Sequence, residues 1–165
     1  MAWYFSSSAH VDASLQHDNR VAQVCIVEVI PVDVKQLIIK HEGYLNKMYA
    51  DQKGIATIGV GHNLRDNPIS DAAVNQIFQD DFNQVCKGLL DYPWFQKQNE
   101  ARQAVLVDMA FNMGLPTLLK FQGMIAALTR ADYATAALEM LDSSWARQVP
   151  SRAKEDSDIM RSGSF

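Results

Sequence analysis

Glu42, Asp51 and Thr57 fall within one short stretch, HEGYLNKMYADQKGIATIGVGHNL, and their types and spacing suit acid-base hydrolysis. Cleaving a glycosidic bond with inversion needs a proton for the leaving oxygen and a water activated on the opposite face of the sugar, a task divided between two carboxyl groups. Glu42, bracketed by His41 and Gly43 at the end of a helix-patterned segment, suits the acid, because partial burial there favours the protonated form. Asp51, in a polar turn, suits the ionised partner, and Thr57 offers a hydroxyl to a water held by Asp51. By itself, a Glu and an Asp nine residues apart are also common on solvated surfaces, so the bare pair leaves that reading open.

Three different elements must converge to assemble such a site. Asp33 caps a predicted helix with Val34, Leu37, Ile38 and then Leu45 on one side, and Glu42 rides near its C-terminal end. Residues 51 to 54 carry turn chemistry, and residues 55 to 60 alternate between glycines as a short hairpin would. Gly59 and Gly61 let the backbone approach a substrate.

Pro68 and Ser70 signal a further helix, with Ala73, Val74, Ile77, Phe78, Phe82, Val85 and Leu89 at helical spacing up to Pro93. Residues 100 to 113, EARQAVLVDMAFNM, are apolar around nearly the whole circumference and predict a buried helix ended by Gly114 and Pro116. Only Phe111 and Asn112 stand near enough to its end to reach a cleft. Shorter helices follow at about 121 to 129, 132 to 142 and 151 to 160. The fold class is α+β, mostly α, with a small hairpin lobe, a helical lobe and a cleft between them. Residues 1 to 30 read as an extension, whether an extra strand, a leader or a docking arm for a delivery partner. The catalytic domain spans 31 to 165, with its small lobe over about 31 to 70, a linker helix over about 70 to 91 and a helical lobe over about 93 to 165.

At 165 residues and 48% hydrophobic, the chain supports one substantial core. A net charge of -4 argues against a nucleic-acid binder, which needs clustered Lys and Arg. Cys25 and Cys86 are far apart and read as ordinary thiols. No H-E-x-x-H or comparable spacing joins His41 and His62, so neither a metal nor another cofactor is expected. No stretch is long and apolar enough to span a bilayer, and the first ten residues lack a basic region followed by an apolar one, so a secretory signal is not expected.

The active-site stretch resembles that of the T-even phage lysozymes, glycoside hydrolase family 24: Glu, eight residues, Asp, five residues, then Thr-Ile-Gly-x-Gly-His. Glu42, Asp51 and residues 57 to 62 match without a gap. RQAVLVDMAFNMG resembles the buried helix of that family's C-terminal lobe, and SSWARQVPSRAK its Trp-x-x-Gln-x-Pro-x-Arg-Ala segment. The resemblance runs from about residue 33 to the C-terminus and implies a lysozyme-like fold and a muramidase. Such an enzyme cuts the β-1,4 bond between N-acetylmuramic acid and N-acetylglucosamine in bacterial peptidoglycan.

Carried over by position, the resemblance makes Glu42 the general acid, with Asp51 positioning the water and Thr57 assisting. It makes Phe111 a cleft residue and Arg152 the arginine that pairs with the catalytic glutamate. Trp145 reads as supporting packing, and His62 as fixing the hairpin through hydrogen bonds. The segment after His62 is shorter than in the T-even phage enzymes, which implies a reduced β lobe and a more open cleft. The family further implies a monomer made in the host cytoplasm and acting in the periplasm, or alternatively a domain of a secreted antibacterial effector. A wall-binding module without turnover and a lytic transglycosylase are the rival functions.

Overall fold

The computed structural model describes residues 33 to 165; the expected extension over residues 1 to 30 and Cys25 lie outside the described residues. The chain divides into two compact units, with the boundary between Pro68 and Ile69. The helix expected as a linker therefore falls within the second unit.

In the first unit, α1 (Asp33–Glu42) ends where expected. Gly43 stops it by adopting φ +78°, and its N–H reaches back to the Ile39 carbonyl at 2.8 Å, a left-handed cap that glycine takes without a Cβ clash. Three short strands follow, β1 (Leu45–Ala50), β2 (Ala56–Gly59) and β3 (His62–Asn63), forming one antiparallel sheet in the order β1-β2-β3. The hairpin expected over residues 55 to 60 is thus the middle of a three-stranded sheet. Its register slips between Leu45, opposite Gly59, and Tyr49, opposite Thr57, so β1 carries extra residues that bend it.

The second unit is helical. α2 (Asp71–Leu89) starts where Ser70 accepts a hydrogen bond from the Ala73 N–H, as its position before the apolar run predicts. After α3 (Pro93–Gln96) comes α4 (Glu100–Met113), capped by Asn99 accepting from the Arg102 N–H and ended at Gly114. Its burial is one-sided rather than all round. Ala101, Val105, Leu106, Met109 and Ala110 are buried, whereas Ala104, Phe111 and Asn112 are exposed, because the polar residues Arg102, Gln103 and Asp108 occupy the flanks.

α5 (Leu115–Leu118), α6 (Gln122–Thr129), α7 (Tyr133–Leu141), α8 (Ser144–Gln148) and α9 (Pro150–Ser162) complete the bundle. Pro150 begins α9 rather than merely separating segments, since its fixed φ and missing N–H suit the first helical position. Leu89, Leu106, Met109, Leu118, Met124, Met140 and Met160 are fully buried and form the centre of the core. Cys86 is a free, half-buried thiol, and burial pushes its pKa up. Among the described residues, no helix is long and apolar enough to cross a membrane.

Candidate active site

Asp51 and Thr57 are tied to the same residue. The Asp51 carboxylate accepts two backbone hydrogen bonds on Oδ1, from the N–H groups of Lys53 and Ile55, each at 2.8 Å. The Asp51 N–H donates to the Ile55 carbonyl at 2.9 Å, and the Thr57 hydroxyl donates to that same carbonyl at 3.0 Å. Ile55 is itself buried, so the turn between β1 and β2 is pinned at its apolar end while the Asp51 side chain remains half-exposed. Thr57 is 4% exposed, which makes it a fixed hydroxyl rather than a mobile surface one.

This pattern follows from residue type. A short carboxylate two residues ahead of a turn accepts the N–H groups that the turn leaves unpaired, and Gly54 supplies the positive φ of +75° that closes it. With the hydroxyl proton of Thr57 directed to Ile55, its oxygen keeps its remaining lone-pair capacity for another donor.

Glu42 arrives from α1. Its Oε2 lies 3.0 Å from the position that a Cβ on Gly61 would occupy, which sets the carboxyl group close against the turn between β2 and β3. Gly61 also has φ +71°, a conformation that independently favours glycine. Glu42 is exposed at the end of α1, where the chain leaves the helix at once through Gly43.

His62 behaves as expected of a hairpin-fixing residue, with Nε2 3.2 Å from the Asn67 carbonyl. Asn63 continues the brace by accepting from the N–H groups of Arg65 and Asp66 at 2.9 and 3.1 Å. Among the described residues, no three His, Cys, Asp or Glu side chains are grouped to hold a metal ion.

The other expected residues belong to the helical unit. Phe111 is 41% exposed, and its ring packs against Phe78 at 5.7 Å between centroids. Trp145 is buried and donates from Nε1 to the Asn112 Oδ1 at 2.9 Å, joining α8 to the end of α4. Arg152 is engaged within its own unit, with Nε 3.0 Å from the Asp108 Oδ2. Forty-four residues separate these two, so neither periodicity nor local turn chemistry points to the pair.

Asp108 and Asp156 were not singled out from the sequence. A signal for Asp156 exists in hindsight: Ala153, Asp156, Ser157 and Met160 form the buried face of α9 at helical spacing, which puts a carboxyl group on the core side.

The model of the family described as phage lysozyme matches residues 39 to 155. The pre-baseplate central spike protein Gp5 of Enterobacteria phage T4 is 25% identical, in an alignment that covers 95% of this chain but 32% of the spike protein. This chain thus spans about a third of that relative's length. Two proteins of Dictyostelium discoideum named probable T4-type lysozyme 1 and 2 are each 22% identical, over 80% of this chain and 95% of their own length. The family match takes in all three of Glu42, Asp51 and Thr57 together with most of the helical unit, and the chain belongs to the phage lysozyme family.

Proposed function

We propose that this protein is a muramidase that hydrolyses the β-1,4 bond between N-acetylmuramic acid and N-acetylglucosamine with inversion. Membership of the phage lysozyme family makes it a peptidoglycan-directed glycoside hydrolase, and the finer reading rests on the roles of three side chains. Glu42 gives its proton to the glycosidic oxygen as the bond to the anomeric carbon breaks. A water attacks that carbon from the opposite face, and Asp51 takes the proton that the water loses. Thr57 holds the same water through its hydroxyl oxygen.

The observation that carries this reading is the common anchor of Asp51 and Thr57 on Ile55. It commits the Asp51 Oδ1 to the turn and the Thr57 proton to a carbonyl, which leaves the Asp51 Oδ2 and the Thr57 oxygen to a water. Glu42, from a different element and set against Gly61, supplies the separate proton donor. Phe111 offers an exposed aromatic surface to a sugar ring, and Trp145 and Arg152 support the helical unit. The enzyme acts as a monomer in the periplasm after synthesis in a bacterial host cytoplasm.

A second mode of delivery is favoured by one observation. The alignment with the T4 spike protein covers 95% of this chain, so it must extend well into the residues before Asp33, whereas the family match begins at residue 39. In this reading the lysozyme part is carried to the wall by a larger phage or secreted assembly that the N-terminal segment engages.

The test is to digest purified peptidoglycan with the parent and with Glu42→Gln and identify the released ends by mass. Reducing N-acetylmuramic acid ends from the parent alone support the muramidase. Anhydro-muramic ends indicate a lytic transglycosylase, and wall binding by both proteins without release indicates a non-catalytic module.

A further inference from the structure

We propose, resting on the muramidase reading, that Tyr49 of β1 is a positioning residue for the hydrolytic water, its ring walling the notch in which Asp51 and Thr57 hold that water. In the antiparallel pairing of β1 with β2, Tyr49 stands directly opposite Thr57, and Asn63 of β3 stands opposite Thr57 on the other flank. Directly opposed residues send their side chains to the same face of a sheet, with Cβ atoms about 5 Å apart. Tyr49, Thr57 and Asn63 therefore form one row across the three strands, with Thr57 in the middle. The ladder runs one step past the end of β1 through the Asp51 N–H and the Ile55 carbonyl at 2.9 Å. Asp51, two residues beyond Tyr49, thus returns to the face that carries Tyr49 and Thr57.

The two flanks of Thr57 differ in what they have left to offer. Asn63 is committed to the loop after β3: its Oδ1 accepts from the Arg65 and Asp66 N–H groups, and its Nδ2 donates to the Asp66 Oδ2 at 2.8 Å. Tyr49 is the one residue of β1 that is not exposed, although Tyr44, Leu45 and Met48 around it are open to solvent. A half-buried ring beside a residue that is 4% exposed is the large flat group available to cover it. Along β2 the same face opens. Gly59, two residues beyond Thr57, has no side chain, and nothing lies within 4 Å of the position that a Cβ there would take. The notch is walled on its strand flanks and open toward Gly59, the side from which a sugar reaches it.

A water in this notch donates one proton to the Asp51 Oδ2 and the other to the Thr57 oxygen, which leaves a lone pair for the anomeric carbon. As the new carbon–oxygen bond forms and the glycosidic bond breaks, Asp51 takes the first proton and Glu42 protonates the leaving oxygen. The second water proton stays on the new hydroxyl group. Bulk water beside Asp51 and Thr57 competes for the same oxygens and blurs this orientation, and the Tyr49 ring keeps it out. The ring acts by filling space, so its hydroxyl group is dispensable.

The experiment measures kcat and KM on soluble, uncross-linked peptidoglycan strands for the full chain and its Glu42→Gln, Tyr49→Phe and Tyr49→Ala variants, with urea unfolding of each as the check on folding. The expected result is a kcat for Tyr49→Ala at least about tenfold below the parent at unchanged KM, and a Tyr49→Phe variant within about threefold of the parent. A residue that only holds the sheet together lowers stability and leaves the kcat of the folded protein alone. A Tyr49→Ala kcat within about threefold of the parent therefore overturns the proposal. So does a rise in KM alone, which makes Tyr49 a sugar contact, and so does an equal loss in Tyr49→Phe, which makes the hydroxyl group the active part. Should Tyr49→Ala not fold, Tyr49→Val keeps a branched strand residue without the ring and decides the same point. An inactive parent, or a Glu42→Gln variant as active as the parent, instead removes the muramidase reading and the proposal with it.

Discussion

The carboxyl group of Glu42 stands close against Gly61, with Oε2 3.0 Å from the position that a Cβ there would take. Gly61→Ala therefore has two effects, the backbone strain of a non-glycine residue at φ +71° and a small shift of the Glu42 carboxyl group away from the new methyl group. The first is worth about 1 to 2 kcal/mol. The expected outcome is a folded protein that is less stable by about this amount and loses at least about tenfold in wall lysis, because proton transfer is sensitive to the placement of the acid. Urea unfolding and lysis rate, measured on the same preparation, check the two effects separately.

Asp51 does structural and chemical work with different oxygens, and two substitutions separate them. Asp51→Ala removes the acceptor for the Lys53 and Ile55 N–H groups, and a loss of about 1 to 3 kcal/mol is expected along with activity. Asp51→Asn keeps an Oδ1 acceptor in the same place and removes the charge. It is expected to stay within about 1 kcal/mol of the parent while hydrolysis falls by about two or more decades. Comparing thermal unfolding with muropeptide release distinguishes the two variants.

Arg102 holds the C-terminal end of α9. Its Nε donates to the Met160 carbonyl at 2.8 Å, its guanidinium lies 3.4 Å from the centre of the Tyr133 ring, and the same group stands against Gly163, which ends the helix at φ +76°. Lysine reproduces the charge but not the planar fork or the stacking. Arg102→Lys is expected to cost about 1 to 2 kcal/mol. Differential scanning calorimetry should show a lower midpoint, with the chemistry of the released wall fragments unchanged.

Trp145→Phe keeps most of the buried ring and deletes one hydrogen bond, the 2.9 Å donation to Asn112. Asn112 is exposed and can turn to water, so the expected loss is about 0.5 to 1.5 kcal/mol rather than the larger figure for an orphaned buried group. Urea unfolding reads this difference directly.

How much of this was legible in the sequence depended on the distance between the residues that make each feature. Ser70 and the turn from Asp51 to Gly54 act on neighbours within four residues, and both were readable, whereas the part of Gly43 in ending α1 was not singled out. α4 was readable because fourteen residues give periodicity room to appear, whereas α3, α5 and α8 have four or five residues and leave no period to read. Within the site, the three residue types and their order were legible, but the approach of Glu42 to Gly61 was not, because it depends on how the chain returns through three strands. The Arg152 to Asp108 pair escaped for the same reason, joining positions far apart in sequence and on different helices.

The most direct test of the central claim compares peptidoglycan hydrolysis by the parent and by Glu42→Gln, with the released ends identified by mass. Loss of about three or more decades in rate for the variant, with reducing N-acetylmuramic acid ends released by the parent, is the predicted result. Hydrolysis by Glu42→Gln within about tenfold of the parent would contradict it, because Glu42 would then not be needed as the proton donor.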